Sequence, residues 1–136
     1  MSTETDLPTV KTVTTFRIIR AEEPVRLEDP RTGQVTDYIV REMTGTDRDA
    51  YFQAMSNRQK VTPDGKTVVG VFGGIQAELI SRCLFLPGPG GTSANVQQAT
   101  IQSWPASVVE GLHALCERIN GMDKDRAKAE EAVKNA

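Results

Sequence analysis

The chain has 136 residues, of which 38% are hydrophobic and 25% are charged, and its formal net charge is −2. These values are typical of one globular domain, and the charge gives no electrostatic reason to expect binding to nucleic acid or to an anionic membrane. The longest apolar runs are far shorter than a membrane span, and the polar, acidic first residues are unlike a signal peptide. We therefore expect a protein of the cytosol.

The amino-terminal third of the chain predicts a small antiparallel sheet. Residues 1–11 show no sustained period and are expected to form a flexible arm, so order should begin at residue 12. Residues 12–19 and 35–41 are rich in β-branched side chains, which favours strands. Turn chemistry over 28–33 predicts that residues 25–27 pair with the strand at 35–41. The result is a sheet of two or three strands.

A first helix is predicted over residues 46–60. Thr46 is suited to cap it, because the acidic Asp49 follows three positions later. Its apolar face should be formed by Tyr51, Phe52 and Met55, while Arg48, Asn57 and Arg58 should face water.

A second helix is predicted over residues 75–85, after the glycine pair at 73–74. The residues expected on its apolar stripe are Ile75, Leu79, Ile80, Cys83 and Leu84, and those expected off it are Gln76, Glu78 and Arg82. The helix cannot continue through the Pro/Gly-rich residues 87–91, which predict a loop. Residues 93–102 are expected to hold one short helical turn.

The last helix has the clearest start, face and stop signals in the chain. Pro105 suits a first turn, and Gly121 after Asn120 suits a stop. The apolar stripe is predicted to contain Val108, Val109, Leu112, Leu115, Cys116 and Ile119, and Glu110, Glu117 and Arg118 are predicted to point elsewhere. We expect this helix to be the scaffold for the two earlier helices, with Trp104 fixing where it starts.

These elements together predict an α+β fold. A small N-terminal antiparallel sheet is followed by a bundle of three to four short helices and a charged C-terminal tail. The single domain should span residues 12–121, and residues 122–136 should form a mobile, charged tail because they contain too little apolar surface to dock.

No motif in the chain predicts catalysis, a cofactor or a metal. His113 is the only histidine, and Glu110 and Glu117 lie at helical spacings from it, but a helix residue beside two carboxylates explains it without chemistry. Cys83 and Cys116 are expected to be buried free thiols, although a disulfide is an alternative. The glycines around Lys66 lack the spacing of a phosphate-binding loop.

Aromatic and other large apolar side chains are the candidates for a partner-binding site, because such residues dominate interface energetics. The predicted set is Tyr51, Phe52, Met55, Phe85 and Trp104. Packing in the core is the alternative, since only 5% of the residues are aromatic and a core of this size needs them.

Three blocks in this order resemble one protein family. They are residues 41–51 (REMTGTDRDAY), residues 74–85 (GIQAELISRCLF), and residues 101–105 (IQSWP) with the helix that ends at Asn120 and Gly121. The chain from about residue 35 onward resembles the tail assembly chaperones of long-tailed, non-contractile (siphovirus-type) bacteriophages and prophages. It departs from them over residues 86–91, where members often carry a short Asp-Gly turn.

The resemblance implies a protein that is not an enzyme and acts in the host bacterial cytoplasm. Such chaperones bind the tape measure protein and the major tail tube protein before the tube polymerises. In many members a ribosomal frameshift appends a second domain, and residues 133–135 (Val-Lys-Asn) are compatible with a slippery run of adenines.

Two other functions remain open from the sequence. The protein could be a structural neck or tail-completion subunit of the virion, or a small enzyme built around His113. An exposed apolar face on one of the short helices would also favour weak association between copies.

Overall fold

In the computed structural model, residues 12–61, 63–65, 67–69 and 74–124 are described here. The strands are β1 (Glu22–Asp29), β2 (Gln34–Arg41), β3 (Gln59–Val61), β4 (Thr67–Val69), β5 (Leu84–Pro87) and β6 (Ser93–Asn95). The helices are α1 (Gly45–Ser56), α2 (Ile75–Cys83), α3 (Gln98–Gln102) and α4 (Ala106–Ile119). The predicted α+β class, with a small antiparallel sheet followed by short helices, is confirmed.

The main sheet is antiparallel, with the strand order β1-β2-β5-β6. Its longest pairing is the β1–β2 hairpin, in which Glu22 lies opposite Arg41 and Asp29 lies opposite Gln34. The hairpin turns where the Gly33 N–H donates to the Asp29 carbonyl at 2.7 Å, with Gly33 at a φ of +75°. The predicted pairing of residues 25–27 is therefore confirmed, within a longer ladder. A separate two-stranded ribbon joins β3 to β4.

The sheet is larger than predicted, and its strands come from different places. Residues 12–19, which predict a strand, belong to neither sheet. The second pair of strands instead comes from the segment 84–95, where the sequence predicts the end of a helix and a loop. Here α2 ends at Cys83, because Leu84 and Phe85 pair with Val40 and Ile39 of β2.

The connection from β5 to β6 is a short 3₁₀ turn at Pro89–Gly91. The Thr92 hydroxyl donates to the Pro89 carbonyl at 2.7 Å and closes this turn. The predicted loop is thus the tight end of a hairpin, and the short helical turn expected over residues 93–102 is α3.

Helix α1 begins earlier and ends earlier than its pattern predicts. The Thr44 hydroxyl, and not that of Thr46, caps it by accepting the Asp47 N–H at 3.2 Å. Thr44 and Asp47 have the same three-residue spacing as Thr46 and Asp49, so the sequence offers two equivalent starts. The helix ends at Ser56, with Asn57 as its C-cap, and residues 59–61 form β3.

The core lies between one face of the main sheet and the helices. Its buried members include Val40 and Leu84 from the sheet, Leu79, Ile80 and Cys83 from α2, Ile101 from α3, and Leu112 and Cys116 from α4. The α2 and α4 stripes are thus confirmed in their central positions, and both cysteines are buried free thiols.

The prediction that α4 is the common scaffold is wrong, because α2 packs against α1, α3 and α4 and occupies the centre. No helix among the described residues has the length and apolar character needed to cross a membrane. The predicted arm at 1–11, most of the predicted tail at 122–136 and the frameshift position at 133–135 lie outside the described residues.

Candidate partner-binding site

The five residues predicted to bind a partner lie in three separate places. Tyr51, Phe52 and Met55 are on α1, Phe85 is on β5, and Trp104 lies just before α4. They do not form one continuous surface, because most of them contribute to packing inside the domain.

Of the three candidate residues on α1, only Phe52 is exposed, at 49%. Its ring lies 5.6 Å from the Tyr51 ring, and the Arg48 guanidinium lies 5.6 Å from its centroid. Tyr51 is buried, and Met55 is partly buried against the core. One half-exposed phenylalanine with a cation above it gives a small contact area by itself.

Phe85 is covered by two arginines. The guanidinium carbons of Arg20 and Arg41 lie 5.5 and 5.0 Å from the centroid of its ring. Arg41 is held in place by Glu22, at 2.7 Å, and by the Ser93 hydroxyl, at 3.0 Å. The Phe85 ring therefore makes its cation–π contacts within the domain.

Trp104 lies at the edge of a shallow groove. Its ring packs edge to face against Tyr38 of β2 with the centroids 5.8 Å apart, which ties the start of α4 to the sheet. The groove has a volume of about 390 Å³, and its apolar wall includes Ile75, Ala77 and Val109. It is open and small, so it could hold one or two side chains of a partner.

A second, polar cleft of about 290 Å³ lies beside α2 and contains Glu78. The sequence places Glu78 off the apolar stripe, but the residue is only 8% exposed. Its carboxylate lies 3.0 Å from Arg82 and 3.7 Å from Arg58. Arg58 is also largely buried, so the prediction that it faces water is wrong. The two arginines balance the charge of the buried Glu78 carboxylate, so ion pairing explains its burial without a catalytic role.

His113 forms part of a buried network on α4. Its Nδ1 lies 3.5 Å from Oε1 of Glu117, and both side chains are mostly buried. The prediction that Glu117 points away from the core is therefore wrong. Burial, with help from the charge of Glu117, raises the pKa of the Tyr51 hydroxyl. The arrangement is a packed set of polar groups contributed by α1 and α4.

The two cysteines and Asn120 form a second buried polar network. The Asn120 amide nitrogen donates to the Cys116 carbonyl at 2.8 Å and approaches the Cys83 sulfur at 3.4 Å. Its carbonyl oxygen accepts the Met43 N–H at 2.9 Å. The hydrogen bond with Cys83, followed by burial, raises the pKa of Cys116, so this thiol stays protonated.

The largest exposed apolar feature is one that the sequence predicts as a strand. In residues 12–19, which we call the leading segment, the exposed fractions are 79% for Val13, 84% for Phe16, 105% for Ile18 and 75% for Ile19. The signal that could have identified it lies in the turn at 28–33, because that turn pairs residues 25–27 with the strand at 35–41 and so gives the strand-forming residues 12–19 no partner of their own.

The leading segment is joined firmly to the domain at its end. The Ala21 N–H donates to the Glu42 carboxylate at 3.1 Å, and the Ala21 carbonyl accepts the Glu42 N–H at 2.8 Å. The Arg20 Nε donates to the Glu42 carbonyl at 2.8 Å. The exposed apolar side chains of the leading segment are therefore followed directly by two residues that are hydrogen-bonded to the domain.

Among the described residues, no three His, Cys, Asp or Glu side chains are placed to hold a metal ion. Comparison of the chain with protein-family models, curated proteins and solved structures gave no match.

Proposed function

We propose that this protein is a tail assembly chaperone of long-tailed, non-contractile bacteriophages. In the host bacterial cytoplasm it binds the tape measure protein, the major tail tube protein, or both, before the tube polymerises. The proposal draws on the family resemblance of residues 41–51, 74–85 and 101–121. These blocks correspond to the start of α1, to α2 with the start of β5, and to α3 leading into α4.

The observation that carries the proposal is the exposure of the leading segment. Monomeric proteins rarely expose large contiguous apolar patches, and where they do the surface commonly binds another protein. Four large apolar side chains within seven residues are exposed here, from Val13 to Ile19. The polar groups inside the domain, in contrast, pair with each other at Glu78 and Asn120. This contrast supports a binding function without catalysis.

Coexpression with the two expected clients tests the proposal. The protein should co-purify with the tail tube protein or the tape measure protein of the phage that encodes it, and it should increase the soluble yield of that client. Failure to capture either client, when both are soluble without it, would contradict the proposal.

Analysis of finished particles separates a chaperone from a structural subunit. A chaperone should be absent from purified virions by mass spectrometry. If the protein is present there in a fixed copy number, the assignment to a neck or tail-completion subunit is the correct one.

A further inference from the structure

The leading segment has the composition of a β-strand, but among the described residues no other strand pairs with it. Apart from Arg17, its residues are Thr, Val, Phe and Ile, all of which favour strands. In an extended chain, Phe16 and Ile18 fall on one face, while Val13 and Ile19 fall on the other. Such a segment gains stability when its main chain pairs and its apolar faces are covered.

The hairpin shows why β2 does not pair with the leading segment. Strand β2 ends at Arg41, and after Glu42 the chain turns toward the cap of α1 at Thr44. The segment before β1 therefore extends past the last residue that could pair with it. Eight extended residues span about 26 Å at roughly 3.3 Å per residue, so the unpaired length is comparable to a full strand.

The edges of the chain's own main sheet are poor partners for this segment in a second copy. One edge is β1, where Pro24 has no N–H to donate, and the other is β6, which has only three residues. Two leading segments could pair with each other, but each carries the exposed, positively charged Arg17, so the two like charges would repel each other. No acidic residue lies between positions 12 and 21, so a partner with a carboxylate beside its strand is favoured.

We propose that the leading segment binds a partner protein by adding a strand to an open sheet edge that carries apolar side chains and a carboxylate near Arg17. This inference rests on the proposed function and assigns the tail tube subunit as the occupant, because a subunit held back from polymerising keeps its assembly surfaces uncovered. A helical client satisfies its own main-chain groups and offers no such edge.

Binding of the purified tail tube subunit to the full chain tests the proposal. The double variant Phe16→Asp/Ile18→Asp removes one apolar face, and Thr15→Pro removes a main-chain donor. Both should weaken binding at least tenfold and leave the melting temperature unchanged, because these side chains are exposed in the domain. Val35→Asp is the matched control, since it changes a half-exposed apolar residue on β2 that lies outside both the leading segment and the candidate partner-binding set, and it should bind as the unchanged chain does.

The outcomes separate this inference from the proposed function. If the unchanged chain captures neither client, the chaperone assignment fails. If it captures the tube subunit and the variants bind equally well, or if it captures the tape measure protein alone, strand addition to the tube subunit is refuted while the chaperone role stands. If light scattering without any client shows that the unchanged chain is associated and that the variants have a lower molar mass in solution, a second copy is the occupant. The assignment to a client is then overturned.

Discussion

Replacing Asn120 with alanine should destabilise the domain through a single main-chain group. The Asn120 side chain is buried between α4, α2 and the residues that follow β2, and its oxygen accepts the Met43 N–H at 2.9 Å. In Asn120→Ala this buried N–H loses its acceptor, which costs about 1–3 kcal/mol. The Cys116 carbonyl keeps the main-chain N–H of residue 120 at 3.2 Å, so it adds little to the cost. We expect the free energy of unfolding to fall by about 2 kcal/mol.

Urea denaturation monitored by Trp104 fluorescence measures this change, because Trp104 is the only tryptophan and packs against Tyr38. At about 4 °C per kcal/mol, the melting temperature should also fall by about 8 °C. Asn95→Ala is the matched control: Asn95 donates to the Ser81 carbonyl at 2.8 Å but is exposed, so its loss should cost less than about 0.5 kcal/mol. The reasoning is refuted if Asn120→Ala costs no more than Asn95→Ala.

Three further predictions concern buried polar groups. The pKa of Tyr51 is raised above its ordinary value of 10.0, so the folded state holds this proton more tightly than the unfolded state. The free energy of unfolding should therefore fall as the pH rises above 10.0. Denaturation at pH 9 and 11 measures this change, and Tyr51→Phe should lose this part of the pH dependence. Glu78→Gln removes the carboxylate that Arg58 and Arg82 contact, and it should lower the free energy of unfolding by about 1–2 kcal/mol in urea denaturation. Glu110→Gln, on the exposed side of α4, is the control and should lower it by less than about 0.5 kcal/mol. Equal losses for the two variants would contradict the buried ion pairs. Cys83 and Cys116 should fail to react with a thiol reagent in the folded protein and should both react in denaturant; rapid reaction without denaturant would contradict their burial.

The sequence determined the features that depend on neighbours along the chain. The last helix was predicted at residues 105–120 and is observed at Ala106–Ile119, because Pro105, the apolar stripe and Gly121 all act locally. The β1–β2 hairpin was predicted for the same reason, since the turn that ends at Gly33 brings its two strands together directly.

Only the tertiary structure decided what depends on contacts between distant residues. Leu84 fits the helical stripe of α2, yet it lies in β5 because Val40, 44 positions earlier, provides its pairing partner. Glu78 and Glu117 fit exposed helix positions, but residues from other elements enclose them. The strand composition of residues 12–19 is equally clear in the sequence, but a strand also needs a neighbour, and within the described residues the fold supplies none. Propensity is a property of a segment, whereas pairing and burial are properties of the whole assembled chain.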